Sequence, residues 1–260
     1  MSNLTKRIIA GVFGIPVILA AAYFGGIYFL IFSLIVTSLA FWEFCLMFEK
    51  KELSPMKYSG IIVSAAILII LYSDWKYLLV IIFAMTAFFA AAEIFRSGKN
   101  PLNPAVLIFG LLYITFPFVV LNALIKLSDF NIVVYIFILI WTCDTAAYFG
   151  GRIFGRYPLS AISPKKTREG AASGFLFTII VSLSVYFIFP GKVTLTDALV
   201  IGVITGIFSQ IGDLFESLLK RYCDVKDSSD IIPGHGGILD RFDSLIFVAP
   251  LIFIYFMYVK

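Results

Sequence analysis

Residues 104–125 read PAVLIFGLLYITFPFVVLNALI and carry no charged side chain. A helix needs about 20 predominantly apolar residues to cross the hydrocarbon core of a bilayer, so this stretch alone predicts a membrane-spanning helix. Its apolar residues are continuous, whereas the strands of a transmembrane β-barrel alternate with period two over about ten residues. The fold class that we expect is therefore all-α.

Eight further apolar runs extend this interpretation to most of the chain. Of the 260 residues, 61% are hydrophobic and 14% are charged, while soluble domains have about 25% charged residues. The runs cover residues 8–25, 27–48, 59–73, 76–95, 131–149, 171–190, 196–221 and 242–259. The sequence thus predicts a polytopic transmembrane helical bundle of about nine helices, of which the helix at 59–73 is short.

Lysine and arginine are distributed unevenly between the two predicted sides of the membrane. With the N-terminus in the cytosol, 16 of the 20 Lys and Arg fall in cytosolic segments. The opposite side then holds only Lys76, Lys126, Lys192 and Lys260. Because positive residues are retained on the cytoplasmic side during insertion, this asymmetry supports both the number of spans and the orientation.

Two long polar segments, residues 150–170 and 221–241, interrupt the apolar pattern and face the cytosol in this topology. Both belong to residues 126–260, which we interpret as a transmembrane catalytic region. Residues 1–125 are interpreted as a scaffold of transmembrane helices that face lipid or form an oligomer.

The helix predicted before the second polar segment carries Asp213, Glu216, Ser217 and Lys220 at i, i+3, i+4 and i+7, and therefore on one face. An acidic residue near the bilayer centre costs about 2.5–3.5 kcal/mol on insertion scales, so this face is expected to point into the protein or a wet cavity. The alternative is that the helix end emerges into water, with Glu216 and Lys220 as a surface pair.

The turn that follows reads PGHGG at residues 233–237. Its glycines permit positive φ and a close approach of the backbone to a ligand. Successive backbone N–H groups in such a turn can bind an anion, although a simple turn would have the same composition. The pattern is not a dinucleotide fingerprint, because Leu239 replaces the last glycine of G-x-G-x-x-G.

Asp240, Arg241 and Asp243 follow this turn directly. Carboxylates are oxygen ligands for Mg²⁺, which takes one or two of them together with waters and substrate phosphates. Arginine offers a planar fork that matches phosphate. The combination suits a metal-bound triphosphate, and the alternative is a solvated juxtamembrane loop of mixed charge.

From residue 217 to residue 243 the sequence SLLKRYCDVKDSSDIIPGHGGILDRFD resembles the signature of the phosphatidate cytidylyltransferase family. The positions that match are Ser217, Lys220, Arg221, Lys226, Asp227, Pro233, His235, Gly236, Gly237, Asp240, Arg241 and Asp243. The resemblance implies transfer of the cytidylyl group of CTP to phosphatidic acid, with release of CDP-diacylglycerol and pyrophosphate.

The first polar segment is similar to the other polar stretch of this family, which is linked to nucleotide binding. It begins with Asp144 inside an apolar run and continues to a Ser-Pro-Lys-Lys-Thr cluster at residues 163–167. Its five cations form a surface that attracts phosphate. Retention of the loop in the cytosol would account for some of these cations but not for Asp144.

The resemblance also implies roles for individual residues. The expected catalytic set is Asp213, Lys220, Arg221, Lys226, Asp227, His235, Asp240, Arg241 and Asp243. The expected substrate-binding set is Asp144, Tyr148, Ser163, Lys165, Lys166, Ser217, Gly236 and Gly237. Asp213 and Asp240 are the predicted ligands of Mg²⁺, with a second cation left open. His235 is expected to donate a hydrogen bond or to orient a carboxylate.

The expected partners are CTP, phosphatidic acid and membrane lipids, with no nucleic acid; a homodimer is an open alternative. The expected location is a bacterial inner membrane, with the active site facing the cytosol. Two other functions compete. A CTP-dependent kinase of a lipid alcohol would transfer the γ-phosphate instead, but the signature argues against it. A transporter is disfavoured because the polar groups cluster toward one side of the membrane.

Overall fold

The computed structural model describes residues 3–97, 99–128, 131–232, 234 and 236–260, with only the backbone of residues 3–10. These residues form nine helices, which confirms the predicted all-α fold. The helices are α1 (Asn3–Phe24), α2 (Gly26–Glu49), α3 (Lys57–Ser73), α4 (Leu78–Ile94), α5 (Leu102–Leu127), α6 (Ile132–Phe154), α7 (Arg168–Ile188), α8 (Leu195–Tyr222) and α9 (Leu239–Tyr258). Helix α5 includes a π-helical segment at Leu111–Thr115.

Seven of these helices are long and apolar enough to cross a membrane, and the chain is an integral membrane protein. Helix α3 is shorter, as the short run at 59–73 predicted. Several helix ends differ from the predicted runs, and the ends on either side of the first polar segment matter most here. Helix α6 continues beyond residue 149 to Phe154, so the loop before α7 is shorter than the first polar segment.

The chain divides into two compact units. The first unit comprises Met1–Ala123 and Tyr222–Arg241, and the second comprises Leu124–Arg221 and Phe242–Lys260. These units are defined by contacts within the chain. The division into a scaffold at 1–125 and a catalytic region at 126–260 concerns function rather than contacts, and it stays a prediction.

The first unit has a core of large aromatic side chains, among them Phe29, Phe41 and Phe44, which are fully buried. Helix α3 approaches α2 closely because Gly60 faces the ring of Phe41, where even a Cβ atom would collide. Polar residues also join helices here. The hydroxyls of Ser64 and Thr115 lie 2.8 Å apart in a hydrogen bond between α3 and α5.

The second unit is built around a close pair of helices, α6 and α7. Gly174 of α7 lies against the backbone of α6, and a Cβ atom there would sit 2.9 Å from the carbonyl oxygen of Cys143. Gly150 of α6 is similarly close to the side chain of Ser173. Small residues allow helices to approach in a membrane, where packing rather than the hydrophobic effect drives their association.

Candidate active site

The loop between α8 and α9, residues 223–238, carries the glycine turn and belongs to the first unit. Gly234 and Gly236 have φ values of 80° and 83°, which confirms the predicted positive φ. The backbone N–H of Ile232 donates to the carbonyl of Gly236 at 2.9 Å and closes the turn. Pro233 and His235 lie outside the described residues, so the predicted role of His235 stays a prediction.

Asp240 lies in the first turn of α9 and accepts hydrogen bonds from the α8–α9 loop. Its Oδ2 atom accepts hydrogen bonds from the backbone N–H of Ser228 at 3.0 Å, from the Ser228 hydroxyl at 3.0 Å and from the N–H of Gly237 at 2.8 Å. A Cβ atom on Gly236 would lie 2.6 Å from the same carboxylate oxygen. The glycine is therefore required for close approach as well as for its positive φ.

A second carboxylate, Glu43 of α2, meets the same loop. Its side chain is fully buried, and Oε1 accepts hydrogen bonds from the Ser229 hydroxyl at 2.6 Å and the Ile238 N–H at 2.9 Å. Oε2 accepts from the Leu239 N–H at 2.9 Å and shares the single proton of the Ser228 hydroxyl, 3.0 Å away, with Asp240 Oδ2. The anion at the start of α9 is thus a carboxylate of the protein itself, at the helix end where the dipole favours negative charge.

The beginning of the α8–α9 loop is attached to the end of α2. Lys51 donates to Asp224 at 2.5 Å and lies over the ring of Tyr222, and this hydrogen bond raises the pKa of Lys51. Burial raises the pKa of the adjacent Cys223 thiol, so it stays protonated at neutral pH. A protonated, buried thiol is a structural residue rather than a nucleophile.

The second unit holds a different set of charged residues. Lys166, from the loop before α7, forms an ion pair with Asp213 of α8. The negative charges of Asp213 and Asp144 both act on the carboxyl of Asp243, and the charge of Lys220 acts on it in the opposite sense. We refer to Asp144, Asp213 and Asp243 as the acidic cluster. The structure therefore brings together acids from α6, α8 and α9 that the sequence singled out.

Gly212 explains how two of these acids come close. A Cβ atom on this residue would lie 2.5 Å from the carbonyl oxygen of Asp243, so only glycine allows α8 to approach α9 at this level. The next residue of α8 is Asp213, which is thereby placed beside the first turns of α9. The position of the acidic cluster is thus a direct result of helix packing.

The predicted polar face of α8 is buried, as expected from the cost of exposing an acidic side chain to lipid. Glu216 is fully buried, Ser217 and Lys220 are 9% and 8% exposed, and Asp213 is half-buried. Lys220 donates to Glu216 at 2.6 Å. The alternative of a surface pair at a helix end is therefore wrong, because the two charges pair inside the protein, where each needs the other.

The loop before α7 is a compact turn rather than an open strand of cations. The Glu169 carboxylate accepts the backbone N–H groups of Arg156 and Tyr157, and the Thr167 hydroxyl caps α7 by accepting the N–H of Gly170. The backbone N–H of Lys166 donates to the carbonyl of Ser163 at 3.0 Å. This turn directs Lys166 to Asp213.

The remaining predicted residues lie at the surface of their units. Those that are exposed are Tyr148, Lys165 and Arg221 in the second unit, and Lys226, Asp227 and Arg241 in the first. Their exposure is compatible with contacts to a substrate headgroup. Their individual roles stay predictions.

Comparison with known proteins identifies the family. The sequence profile of the cytidylyltransferase family matches residues 5–259. The chain belongs to this family. A relative from Staphylococcus saprophyticus subsp. saprophyticus, named phosphatidate cytidylyltransferase, is 34% identical over 256 residues, or 94% of each chain. Relatives of the same name come from Staphylococcus haemolyticus, at 31% identity over 95% of this chain and 96% of its own, and from Bacillus subtilis, at 44% over 47% and 45%.

Mg²⁺ is the cation that the acids of this cytidylyltransferase would hold. Within the described ranges, no group of three or more His, Cys, Asp or Glu side chains is close enough to hold a metal ion. Mg²⁺ is usually held by only one or two carboxylates, with waters and substrate phosphates completing its shell. The negative charges of Asp144 and Asp213 act on the carboxyl of Asp243, and a divalent cation would relieve this repulsion. The acidic cluster therefore fits Mg²⁺ in complex with a phosphate.

The two predicted metal ligands have different surroundings. Asp213 belongs to the acidic cluster and pairs with Lys166. Asp240 belongs to the first unit, and its Oδ2 accepts three hydrogen bonds from the α8–α9 loop. Their joint role as metal ligands stays a prediction.

An apolar groove of about 640 Å³ lies between α6 and α7 of the cytidylyltransferase. Trp141, Ala146, Phe149 and Phe177 are among the residues that line it. Its lining extends along α6 from Ile138 to Phe154, on both sides of Asp144 in the sequence, and α6 and α7 are membrane-spanning helices. Its surroundings in a bilayer are acyl chains.

Sequence reasoning missed Glu43. Its signal was present, because a carboxylate inside the apolar run at 27–48 is by default a functional or structural site. The polar groups that bind it lie more than 180 residues further along the chain, and no sequence period connects them.

Proposed function

We propose that this cytidylyltransferase transfers the cytidylyl group of CTP to phosphatidate and so forms CDP-diacylglycerol and pyrophosphate. The observation that carries the proposal is the acidic cluster of the second unit together with Lys166 and Lys220. The lysines suit phosphate groups, and the carboxylates suit a metal ion. The reaction class follows from the family. The lipid acceptor is supported by relatives named phosphatidate cytidylyltransferase that match nearly the whole chain.

The transfer is a displacement at phosphorus. An oxygen of the phosphatidate phosphate attacks the α-phosphorus of CTP and forms the new phosphorus–oxygen bond. The bond between the α-phosphorus and the oxygen that bridges it to the β-phosphorus breaks, and pyrophosphate leaves with that oxygen. The attacking oxygen is already anionic, so no strong general base is required. The main barrier is the repulsion between two polyanions.

The two lysines near the acidic cluster would reduce this repulsion by placing positive charge beside the phosphates. Lys166 and Lys220 are held by Asp213 and Glu216, so their ammonium groups are in fixed positions before any substrate arrives. Preorganised charge stabilises a transition state without the cost of reorganising water. Further cations of the catalytic set, Arg221, Lys226 and Arg241, are assigned to the phosphates of CTP or of the lipid, and Lys165 to the nucleotide.

Asp213 and Asp240 are proposed as ligands of Mg²⁺, with Asp227 and Asp243 as alternative ligands and a second cation as an extension of the same site. When bound, Mg²⁺ supplies positive charge that stabilises the pyrophosphate leaving group. The acidic cluster supports this proposal, because two further carboxylates, Asp213 and Asp144, act on the carboxyl of Asp243.

The polar loops are proposed to face the cytosol of a bacterial cell. This orientation is supported by the excess of Lys and Arg on that side and by the bacterial sources of the relatives. CTP is water-soluble, and phosphatidate presents its phosphate at the interface, so a site at the cytosolic helix ends meets both. Homodimer formation stays a prediction.

The deciding experiment supplies purified protein with phosphatidate, Mg²⁺ and CTP labelled separately in the cytidine and in the γ-phosphate. The proposal expects the cytidine label in the lipid and one pyrophosphate released for each lipid formed. A γ-label on a lipid alcohol would indicate a kinase instead, and CTP that is never consumed would contradict both enzymes. Chelation should abolish turnover and added Mg²⁺ should restore it; turnover that survives chelation would contradict the metal proposal alone.

A further inference from the structure

Glu43 is a buried carboxylate that the proposed reaction does not use. It lies in α2 among apolar residues, with no exposed surface. All four of its hydrogen bonds described above come from the α8–α9 loop and the first residue of α9. Two of the donors are serine hydroxyls near the middle of the loop, and two are backbone N–H groups at its end.

This arrangement needs an acceptor atom at both ends of the side-chain head group, because a backbone N–H donates to each oxygen. The N–H groups of Ile238 and Leu239 are among the first of α9 and have no partner within the helix. Each carboxylate oxygen accepts one of them and one serine hydroxyl. A glutamine would place an NH₂ group against one of these backbone N–H donors, and a buried donor without an acceptor costs about 1–3 kcal/mol.

The carboxylate is also linked to Asp240. The Ser228 hydroxyl lies 3.0 Å from Glu43 Oε2 and 3.0 Å from Asp240 Oδ2. Gly237 is enclosed by the same groups, because a Cβ atom on it would overlap the Ser228 hydroxyl and the Glu43 carboxylate. Glu43, Ser228 and Asp240 therefore form one network that fixes the loop on both sides of its glycine turn.

We propose that Glu43 is a positioning residue for the α8–α9 loop, and that its charge holds the loop in the conformation that presents Lys226, Asp227 and Arg241. The proposal rests on the proposed function only for its effect on turnover. Glu43 touches no substrate in this role. It acts through Ser228, Ser229 and the start of α9.

The test compares Glu43→Gln with Glu93→Gln. Glu93 is a matched control because it is also a buried carboxylate of an apolar helix, 5% exposed, and accepts hydrogen bonds from Asn100 and Asn103 rather than from the loop. The measurements are amide hydrogen exchange at residues 236–240, kcat, KM for CTP and KM for phosphatidate, and thermal unfolding. Ser229→Ala removes the shortest bond to Glu43, together with a 3.2 Å bond from the Ile231 N–H to the Ser229 hydroxyl, and serves if Glu43→Gln does not fold.

We expect Glu43→Gln to accelerate exchange at residues 236–240 and to lower kcat about 10–100-fold, the range found when groups that orient catalytic ligands are removed. Glu93→Gln should lower thermal stability without either effect, and Ser229→Ala should give a smaller change of the same kind as Glu43→Gln. Unchanged exchange in both Glu43→Gln and Ser229→Ala would overturn the proposal, as would equal kinetic losses in Glu43→Gln and Glu93→Gln.

Hydrogen exchange needs no turnover, so the two proposals fail separately. If wild-type protein forms no cytidine-labelled lipid, the proposed function fails while the exchange comparison still decides the role of Glu43. If wild-type protein is active and Glu43→Gln keeps its kcat despite a loosened loop, the positioning role fails alone.

Discussion

The α8–α9 loop and the acidic cluster use carboxylates in opposite ways. In the loop, Glu43 and Asp240 are surrounded by N–H and O–H donors of the protein, and their charges are offset locally. In the cluster, Asp144 and Asp213 lie within electrostatic range of Asp243, and Lys166 pairs with Asp213. The difference teaches that acids of membrane helices can hold a loop through hydrogen bonds, as Glu43 and Asp240 do, and it predicts that the acids of the cluster act in turnover.

The sharpest way to break this comparison is to neutralise one acid in the cluster. Asp213→Asn should lower kcat by about 10²–10³-fold, as expected for loss of a ligand of the cation that stabilises transition-state charge. Because it relieves repulsion with Asp243, it should not lower the thermal unfolding temperature. Steady-state assays and unfolding in detergent check both parts. A loss below tenfold with CTP and phosphatidate saturating would show that the cluster has no role in turnover.

Variants of the buried pair of Lys220 and Glu216 test whether Lys220 both stabilises the fold and binds phosphate. Lys220→Met leaves Glu216 buried without its cation, which costs about 3–5 kcal/mol of stability when a buried pair is broken. The double variant Lys220→Met with Glu216→Gln removes both charges and should recover most of that stability but not the activity. Recovery of activity in the double variant would contradict a phosphate-binding role for Lys220.

Gly237→Ala addresses the other side of the comparison. The added Cβ atom has no room between Ser228 and Glu43, so the loop must shift. We expect kcat to fall about tenfold, the lower end of the range for disturbed supporting residues, with little change in the unfolding temperature. Gly14→Ala is the matched control, because a Cβ atom there meets nothing within 4 Å and, like Gly237, it has no positive φ. Equal effects of the two substitutions would argue against the crowding.

The smallest effect is expected outside both regions, in the groove between α6 and α7. Ala146→Phe fills part of this groove and should raise KM for phosphatidate several-fold, since burying an acyl chain contributes about 0.8 kcal/mol per CH₂. KM for CTP should stay unchanged. The measurement is steady-state kinetics with short-chain and long-chain phosphatidate. An equal rise of KM for both chain lengths would show that the groove does not bind the acyl chains.

Much of this architecture follows from local rules. Membrane thickness sets the length of each apolar run, so the helices could be predicted with small errors at their ends. The helical period placed Glu216, Ser217 and Lys220 on one buried face of α8. The conformation of Gly234 and Gly236 follows from the turn composition.

The contacts that make the candidate site could not be predicted in the same way. Lys166 reaches Asp213 from a loop whose turn depends on Glu169 and Thr167. Gly212 permits a close approach of two helices, but nothing in the sequence says which backbone it meets. The anion-binding turn is a further case, because its N–H groups at residues 237–239 bind Asp240 and Glu43.

The buried carboxylate of α2 has a consequence for the order of biogenesis. The ribosome makes α2 early, whereas the serines and N–H groups that donate hydrogen bonds to Glu43 are synthesised only near the C-terminus. During that interval an acid of this kind costs an inserting helix about 2.5–3.5 kcal/mol, which the apolar remainder of α2 must outweigh. A nascent chain that stops before residue 222 therefore holds an N-terminal unit that lacks part of itself, and quality-control proteases should recognise it as unfinished.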